Sequence, residues 1–219
     1  ESSFGDAGVF LERYIARARH IEVQIFGNGK GHVMPLGERD CSLQRRNQKV
    51  VEEAPAPCLS EALRRDLILA AVNLAQAAHY RSAGTVEFLF DAERQEFFFL
   101  EMNTRLQVEH GVTEEVMGVD LVEWMVRGGM GDYAFMDRAA PTARGHAVQV
   151  RLYAADPALD YRPTTGTLSA LSFPDSVRAE TWCEAGSTIS AWYDPMIAKL
   201  ITHADTRENA IGAMQAALA

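Results

Sequence analysis

Cysteine is scarce in this chain, with three residues in 219, at Cys41, Cys58 and Cys183. Their odd number and wide spacing exclude a disulfide framework and a zinc-binding pattern, and fit a reducing compartment, so a cytoplasmic protein is expected. Long hydrophobic runs are absent. No apolar stretch approaches the roughly 20 residues that a membrane span needs, and no basic-then-apolar targeting segment opens the sequence. Positive charge is also in deficit: 21 Lys and Arg face 30 Asp and Glu, a net charge of −9. Such a chain repels polyphosphate, which argues against non-specific nucleic-acid binding. Internal repeats and low-complexity tracts are missing. So is a glycine-rich phosphate loop, since Gly27-Asn28-Gly29-Lys30-Gly31 is too short and reads as a turn.

What is there suits a folded enzyme-sized unit. Hydrophobic residues make up 47% and charged residues 23%, ordinary for a globular protein, and the length suffices for a core without staples. The chain opens at Glu1 without Met, and its last helical pattern runs to Ala219 with no Gly or Pro stop. A segment of something longer is therefore expected.

Alternation at 20–27 and 32–36 predicts a hairpin closed by the Gly27–Gly31 turn. Residues 41–58, polar and then Pro-rich, read as a loop. Ser60 caps a helix to about Tyr80, with Leu63, Leu67, Ala70, Ala71 and Leu74 on one stripe. Strands follow at 84–90 and 96–103. Asp120 with Glu123 is a capping box for a helix that stops at Gly128-Gly129. Residues 131–145 read as a linker between a first unit, 1–130, and a second, 146–219. The latter carries strands at 147–154, 165–173, 177–183 and 196–203, then a helix opened by Asp205 and Glu208. Mixed runs of strands and helices indicate the α+β class.

The most informative chemistry lies at 84–103. Alternation sends Val86, Phe88 and Phe90 to one face and Thr85, Glu87 and Leu89 to the other. Pairing Phe90 with Phe98, Phe88 with Leu100 and Val86 with Met102 makes one face wholly apolar. That register sets Glu87 opposite Glu101 and Thr85 opposite Asn103. Like charges directly opposed destabilise a strand pair, unless a cation lies between them. Magnesium favours one or two carboxylates plus substrate phosphates, so a metal–nucleotide site is one reading. Two solvated glutamates on an outer face are the other.

Beyond Asn103, Arg105, Gln107 and Glu109 keep the period of two and would continue that face if the chain stays extended. Arg offers a planar fork to oxyanions and a carboxylate can serve as general base; a solvated charged edge is the alternative. Arg39, Arg45, Arg46 and Lys49 form a local basic run in an acidic chain, which suggests a specific anionic ligand or a solvated loop. Arg151 alternates against Val148, Val150 and Leu152, and pattern leaves it either on a surface or in a site. His20, alternating with Ile21, reads as structural.

The segment Glu101-Met102-Asn103-Thr104-Arg105-Leu106-Gln107-Val108-Glu109-His110 resembles the signature of the biotin carboxylases, a branch of the ATP-grasp superfamily. Glu38 to Lys49, followed by Val50-Val51-Glu52-Glu53-Ala54-Pro55-Ala56-Pro57, is similar to the family's second signature. The likeness runs from about Phe10 to the end. It implies a partial ATP-grasp core, whose N-terminal lobe and glycine-rich lid would lie upstream of Glu1, followed by a β-rich biotin carboxylase C-terminal lobe. It also implies that the chain by itself turns over poorly.

By the same resemblance Glu87, Glu101 and Asn103 would hold the Mg2+ or Mn2+ that bridges ATP. Glu12 and Arg13 would lie near adenine, with Arg13 where Lys is common, and His20 and Gln44 at nucleotide-contacting positions. Lys49 would stand near the phosphates and bicarbonate. Arg105, Gln107, Val108 and Glu109 would hold bicarbonate, with Glu109 as its base, and Arg151 would stabilise the enolate-like ureido oxygen of biotin. Asn47 replaces a commoner His. The implied ligase reaction makes carboxyphosphate from ATP and bicarbonate, then carboxylates biotin on a carrier domain. Implied partners are that biotin carboxyl carrier domain, a carboxyltransferase domain of the same parent, and a second copy through the C-terminal lobe.

Three features lean toward the urea carboxylase branch, the ATP-dependent half of urea amidolyase: Gln44-Arg45-Arg46-Asn47-Gln48-Lys49, Glu109-His110-Gly111-Val112-Thr113-Glu114, and Tyr193-Asp194-Pro195-Met196 after Phe173-Pro174-Asp175. Acetyl-CoA, propionyl-CoA and pyruvate carboxylases are the alternatives within the family. A non-catalytic nucleotide-binding or assembly module of the same fold is the alternative outside catalysis.

Overall fold

The computed structural model describes residues 5, 7–9, 11–57 and 59–219; Cys58 and Phe10, singled out above, lie outside them. The predicted first hairpin forms from β1 (Ala18–Asn28) and β2 (Val33–Arg45). Asn28 Oδ1 ties the turn by accepting from the Lys30 and His32 backbone N–H groups. β2 runs well past residue 36, and β3 (Gln48–Ala54) follows directly. The loop expected over 41–58 is therefore mostly strand. Lys49 and Glu52 face a buried polar cluster, while Gln44, Arg46, Asn47 and Gln48 are exposed around the turn between the two strands.

Helix α1 (Glu61–Ala77) starts where the cap predicts, with Ser60 Oγ accepting from the Leu63 N–H. It buries Leu67, Ala71 and Ala75, spaced four apart, whereas Leu74 faces outward and the helix ends short of Tyr80. Then come β4 (Arg81–Asp91), β5 (Glu96–Asn103), α2 (His110–Met117), and α3 (Leu121–Gly129) capped by Asp120 on the Glu123 N–H.

After a short 3-10 turn at Ala134–Asp137, the second half carries β6 (His146–Tyr153) and the two-residue strands β7 (Ala155–Asp156), β8 (Arg162–Pro163) and β9 (Gly166–Thr167). It closes with β10 (Arg178–Thr181), β11 (Thr188–Ile189), β12 (Met196–Ala204) and α4 (Arg207–Leu218). The strand expected over 165–173 shrinks to β9, which finds only the equally short β11 as partner. The last helix is capped by Thr206 on the Asn209 N–H and not by Asp205.

Eight strands form one sheet in the order β10-β12-β6-β3-β2-β1-β4-β5, antiparallel throughout. The sheet crosses the 131–145 segment without a break, because β3 pairs with β6. One face packs under α1 through Ile21, Val23, Ile25, Val86, Phe88 and Phe90, and under α4 through Val148, Leu200, Ala210 and Met214. The opposite face carries α3 against Phe26, Met34 and Leu36, and α2 through Val112 and Val116 against Ala54, Ala147 and Ile201. Between those two apolar patches lies a buried polar zone. No helix among the described residues is long and apolar enough to cross a membrane.

The β4–β5 register pairs Glu87 with Glu101, Thr85 with Asn103 and Val86 with Met102, as the hydrophobic pattern predicts. Beyond Glu87 it differs. A β-bulge shifts the ladder, so Phe88 pairs with Phe99 and Phe90 with Phe97, instead of Leu100 and Phe98. Leu100 is the extra residue. Phe97 and Phe99 then both reach Phe88 with edge-on ring packing, a geometry aromatic pairs favour.

Candidate active site

Because Ile21, Val23 and Ile25 turn to the α1 side, His20, Glu22 and Gln24 project from the other face of β1. The same alternation on β4 projects Thr85 and Glu87. Strand pairing sets Glu22 beside Glu87 on one side and beside Arg39 on the other. Glu22 and Arg39 are both 0% exposed. Buried carboxylates persist only when paired and hydrogen-bonded, and here the cations are Arg39 and Lys49. Arg39 Nε donates to Glu22 Oε1 at 2.6 Å, and its NH1 and NH2 reach Gln24, Thr113, Thr85 and Gln107. Lys49 Nζ donates to three carboxylates at once: Glu22 Oε2 at 2.6 Å, Glu109 Oε1 at 2.7 Å and Glu87 Oε1 at 2.9 Å.

This cluster floors an open cavity of about 460 Å3 lined by His20, Gln44, Asn47, Gln48, Lys49, Glu87, Leu100, Glu101, Asn103, Arg105, Gln107, Val108, Glu109 and Arg151. Nearly all the residues singled out in the sequence thus meet in one place. Glu12 and Arg13 do not line it. Arg13 instead lies 3.6 Å from Glu96 and over the Phe98 ring. His20 Nε2 is 2.6 Å from Glu87 Oε2, and His20 Nδ1 is 3.2 Å from Gln44 Nε2.

Segment 104–109 departs from the extended course expected for it. It leaves the sheet, and Glu109 becomes the residue preceding α2. The helix is drawn in by Val112 and Val116 against β6 and β12. Arg105, Gln107 and Glu109 nevertheless line the same cavity. Gln107 Nε2 donates to Glu87 Oε1 at 2.7 Å. Arg151, on β6, faces the site and not a surface, with its NH2 3.0 Å from Glu109 Oε2.

The basic run does not form one patch. Arg39 is sealed inside, Arg45 lies over the Tyr161 ring at 4.5 Å, Arg46 pairs with Asp160, and Lys49 alone enters the cavity. Irregularities in the β2–β3 ladder between Asp40 and Gln44 separate Arg39 from Arg45, and Arg46 sits in the turn between the strands.

The donor set suits a hard divalent ion. Glu87 and Glu101 are cross-strand neighbours, and Asn103 Nδ2 bridges them at 3.1 Å and 2.9 Å. Glu87 is already met by Lys49, His20 and Gln107. Glu101 is exposed and has no ion-pair partner among the described residues. Glu101, held opposite Glu87 with no cation of its own, fits magnesium or manganese coordination through carboxylate oxygen, and Asn103 joins as a ligand when its amide turns Oδ1 in place of Nδ2 toward the acids.

Electrostatics keep the acids ionised. Burial pushes Glu87 up, but His20, Lys49 and Gln107 outweigh it and hold the carboxyl well below the usual range. Burial likewise opposes ionisation of Glu109, yet Lys49, Arg39 and Arg151 leave it depressed. Lys49 is lowered by burial and raised further by Glu22, Cys41 and Glu109, so it stays an ammonium. The site therefore presents an ionised carboxylate and two fixed cations, Lys49 and Arg151, around one space. That combination can accept a proton at Glu109 and neutralise an oxyanion.

Thr85 falls on the Glu87 face as the alternation predicts, but Glu22, Gln24, Glu52, Gln149 and the central anchoring role of Arg39 are not among the sequence-predicted site residues. Period-two alternation on β1 and β3 was the signal for Glu22 and Glu52. Arg39 carried none, since an Arg in a polar run looks solvated.

Residues 1–134 match the family described as the carbamoyl-phosphate synthase L chain, ATP binding domain, and residues 149–219 the biotin carboxylase C-terminal domain. The urea amidolyase of Saccharomyces cerevisiae is 52% identical over 218 residues, which is 100% of this chain and 12% of that protein. The crystal structure of the Kluyveromyces lactis urea carboxylase superposes with a TM-score of 0.90 at 49% identity, over 92% of this chain and 18% of that one. The biotin carboxylase domain of the Hydrogenobacter thermophilus 2-oxoglutarate carboxylase, solved with MgADP, ADP and bicarbonate, gives a TM-score of 0.90 at 41% identity, over 94% of this chain and 46% of that one. This chain thus spans a minor part of each. Matched across both halves, it belongs to the carbamoyl-phosphate synthase L chain ATP-binding family, in its ATP-grasp biotin carboxylase branch.

Proposed function

We propose that this chain supplies the bicarbonate-activating part of an ATP-dependent biotin carboxylation, within a urea carboxylase. The observation that carries it is the shared floor of the cavity: Lys49 bound by Glu22, Glu87 and Glu109, with Glu101 and Asn103 on the rim. Residues 1–130 supply the metal and phosphate groups, and 146–219, across the 131–145 segment, supply Arg151. Glu87, Glu101 and Asn103 hold Mg2+ or Mn2+, which neutralises the ATP phosphates. Glu12 and Arg13 approach adenine, and His20 and Gln44 border the nucleotide.

Arg105, Gln107 and Val108 orient bicarbonate, and Glu109 takes its proton, so that the bicarbonate oxygen attacks the terminal phosphate, the bond to the bridging oxygen breaks, and ADP leaves carboxyphosphate behind. Catalysis is then chiefly positioning and charge neutralisation. Carboxyphosphate releases carbon dioxide and inorganic phosphate beside biotin on a carrier domain; the ureido nitrogen gives its proton to that phosphate and bonds the carbon dioxide, while Arg151 stabilises the ureido oxygen. A carboxyltransferase domain passes the group onward. Urea as final acceptor, and association of two copies through 146–219, complete the proposal; the relatives named above support the first.

The test is bicarbonate-dependent ATP cleavage with free biotin, measured in the urea carboxylase that contains this chain. Glu109→Gln keeps shape but removes the base, and the expected loss is about 100-fold or more. Activity within about twofold of the parent contradicts the role given to Glu109.

A further inference from the structure

Glu52 takes no part in the site as described, yet it is 0% exposed. It does not line the cavity. β3 and β6 lie side by side, and their register sets Glu52 opposite Gln149. Two residues on, the same face of β6 carries Arg151. Glu52 Oε1 accepts from Arg151 Nε at 2.7 Å, with Arg151 NH2 2.6 Å away, and Glu52 Oε2 accepts from Gln149 Nε2 at 2.9 Å. The same Arg151 NH2 donates to Glu109 Oε2 at 3.0 Å. The guanidinium therefore sits between a carboxylate that meets the ligand space and one that does not.

The two carboxylates constrain it differently. Glu109 meets Arg151 through a single nitrogen, and one contact leaves a long side chain free to rotate about it. Glu52 engages both Nε and NH2, which fixes the plane of the fork. A buried ion pair is a poor source of stability, since apolar residues of similar volume often serve as well or better. A buried carboxylate beneath a site arginine is better accounted for by orientation. When a ligand engages Glu109, Arg151 loses one partner, and Glu52 is the one that stays.

We propose that Glu52 is a positioning residue: it sets the plane of Arg151 and keeps that guanidinium in place while bicarbonate occupies Glu109. The second half rests on the function proposed above. Burial, stronger than the opposing pull of Arg151 and Gln149, raises the Glu52 carboxyl to about 7, so the experiment is run at about pH 8, where it is ionised.

Two readouts on the 219-residue chain test it. The Arg151 Nε–H resonance in nitrogen-15 spectra is assigned by its loss in Arg151→Lys. It is expected to be shifted and slow to exchange, and to merge with the exposed arginines in Glu52→Gln while Glu52→Asp restores part of the shift. Bicarbonate is then titrated with MgADP present, followed at the Val108 and Glu109 amides. Glu52→Gln is expected to weaken bicarbonate about tenfold and to move MgADP affinity by less than about twofold.

A resonance unchanged in Glu52→Gln overturns the proposal, as does unchanged bicarbonate affinity. A merely structural Glu52 lowers the melting temperature and moves neither readout. If Glu52→Gln does not fold, Gln149→Leu, which removes the bond to Glu52 Oε2, is expected to shift the Arg151 resonance in the same direction, and no shift there overturns the proposal. If bicarbonate moves no amide in the unmodified chain, the titration is repeated in the carboxylase that contains this chain; no binding there overturns the functional reading, and the Arg151 resonance decides separately whether Glu52 orients that side chain.

Discussion

Lys49 is one ammonium shared by three carboxylates, and much of the site's electrostatics follows from it. Removing any one acid leaves Lys49 compensated, whereas removing Lys49 leaves Glu22, Glu87 and Glu109 crowded around a gap. Glu52, behind Arg151 and outside the cavity lining, behaves in the opposite way to Glu87 and Glu109. Burial dominates there and lifts its carboxyl to about 7, above the value of 4.5 for a free side chain. A raised carboxyl holds its proton more tightly in the folded state. Its stabilising contribution is therefore complete below about pH 4.5 and lost as pH rises through about 7. Urea unfolding at about pH 5 and about pH 8 checks this. The parent is expected to lose stability relative to Glu52→Gln across that interval, and parallel profiles for the two contradict it.

At the scale of elements, the geometry depends on two strands being held in register on either side of β1. At its far end, Gly27 lies so close to the Tyr80 carbonyl that an added Cβ would stand 2.1 Å from that oxygen. The neighbouring Gly29 N–H donates to the same carbonyl at 2.9 Å. Gly27→Ala must push the backbone apart, with an expected cost of about 1–3 kcal/mol in denaturant unfolding. A variant as stable as the parent contradicts the close approach.

Much of this layer was legible in the sequence. Hydrophobic alternation gave β1, β4 and the Glu87–Glu101 pairing, and Ser60 and Asp120 marked two helix starts. The bulge at Leu100 was not legible, because Phe97 to Leu100 is apolar throughout and supports either parity. β3 was hidden because a strand whose inner face meets buried ions looks like a polar loop. The turn into α2 was hidden because Arg105, Gln107 and Glu109 happen to alternate. Their meeting in one cavity arises from a bend that alternation cannot show.

At the scale of the whole molecule, the β3–β6 pairing joins what the sequence divides at 131–145. Side chains reinforce that seam: Arg151 with Glu52, Arg207 with Glu53, Lys199 Nζ on the Val108 carbonyl at 2.7 Å, and Arg178 with Glu114. Native-state hydrogen exchange is expected to show β3 and β6 opening together with one free energy. Separate opening of β6 contradicts a shared sheet as the unit of stability. The same seam brings Arg151 onto Glu109 and into the cavity that Lys49 and Glu87 also line, so the cavity is a property of the assembled sheet. The central claim is that Glu87 and Glu101 hold a divalent ion between them. Anomalous diffraction from crystals grown with Mn2+ and ADP tests it most directly. A peak in direct contact with both carboxylates, absent in Glu101→Gln, is expected; a peak elsewhere, or one that survives that substitution unchanged, rules the shared ion out.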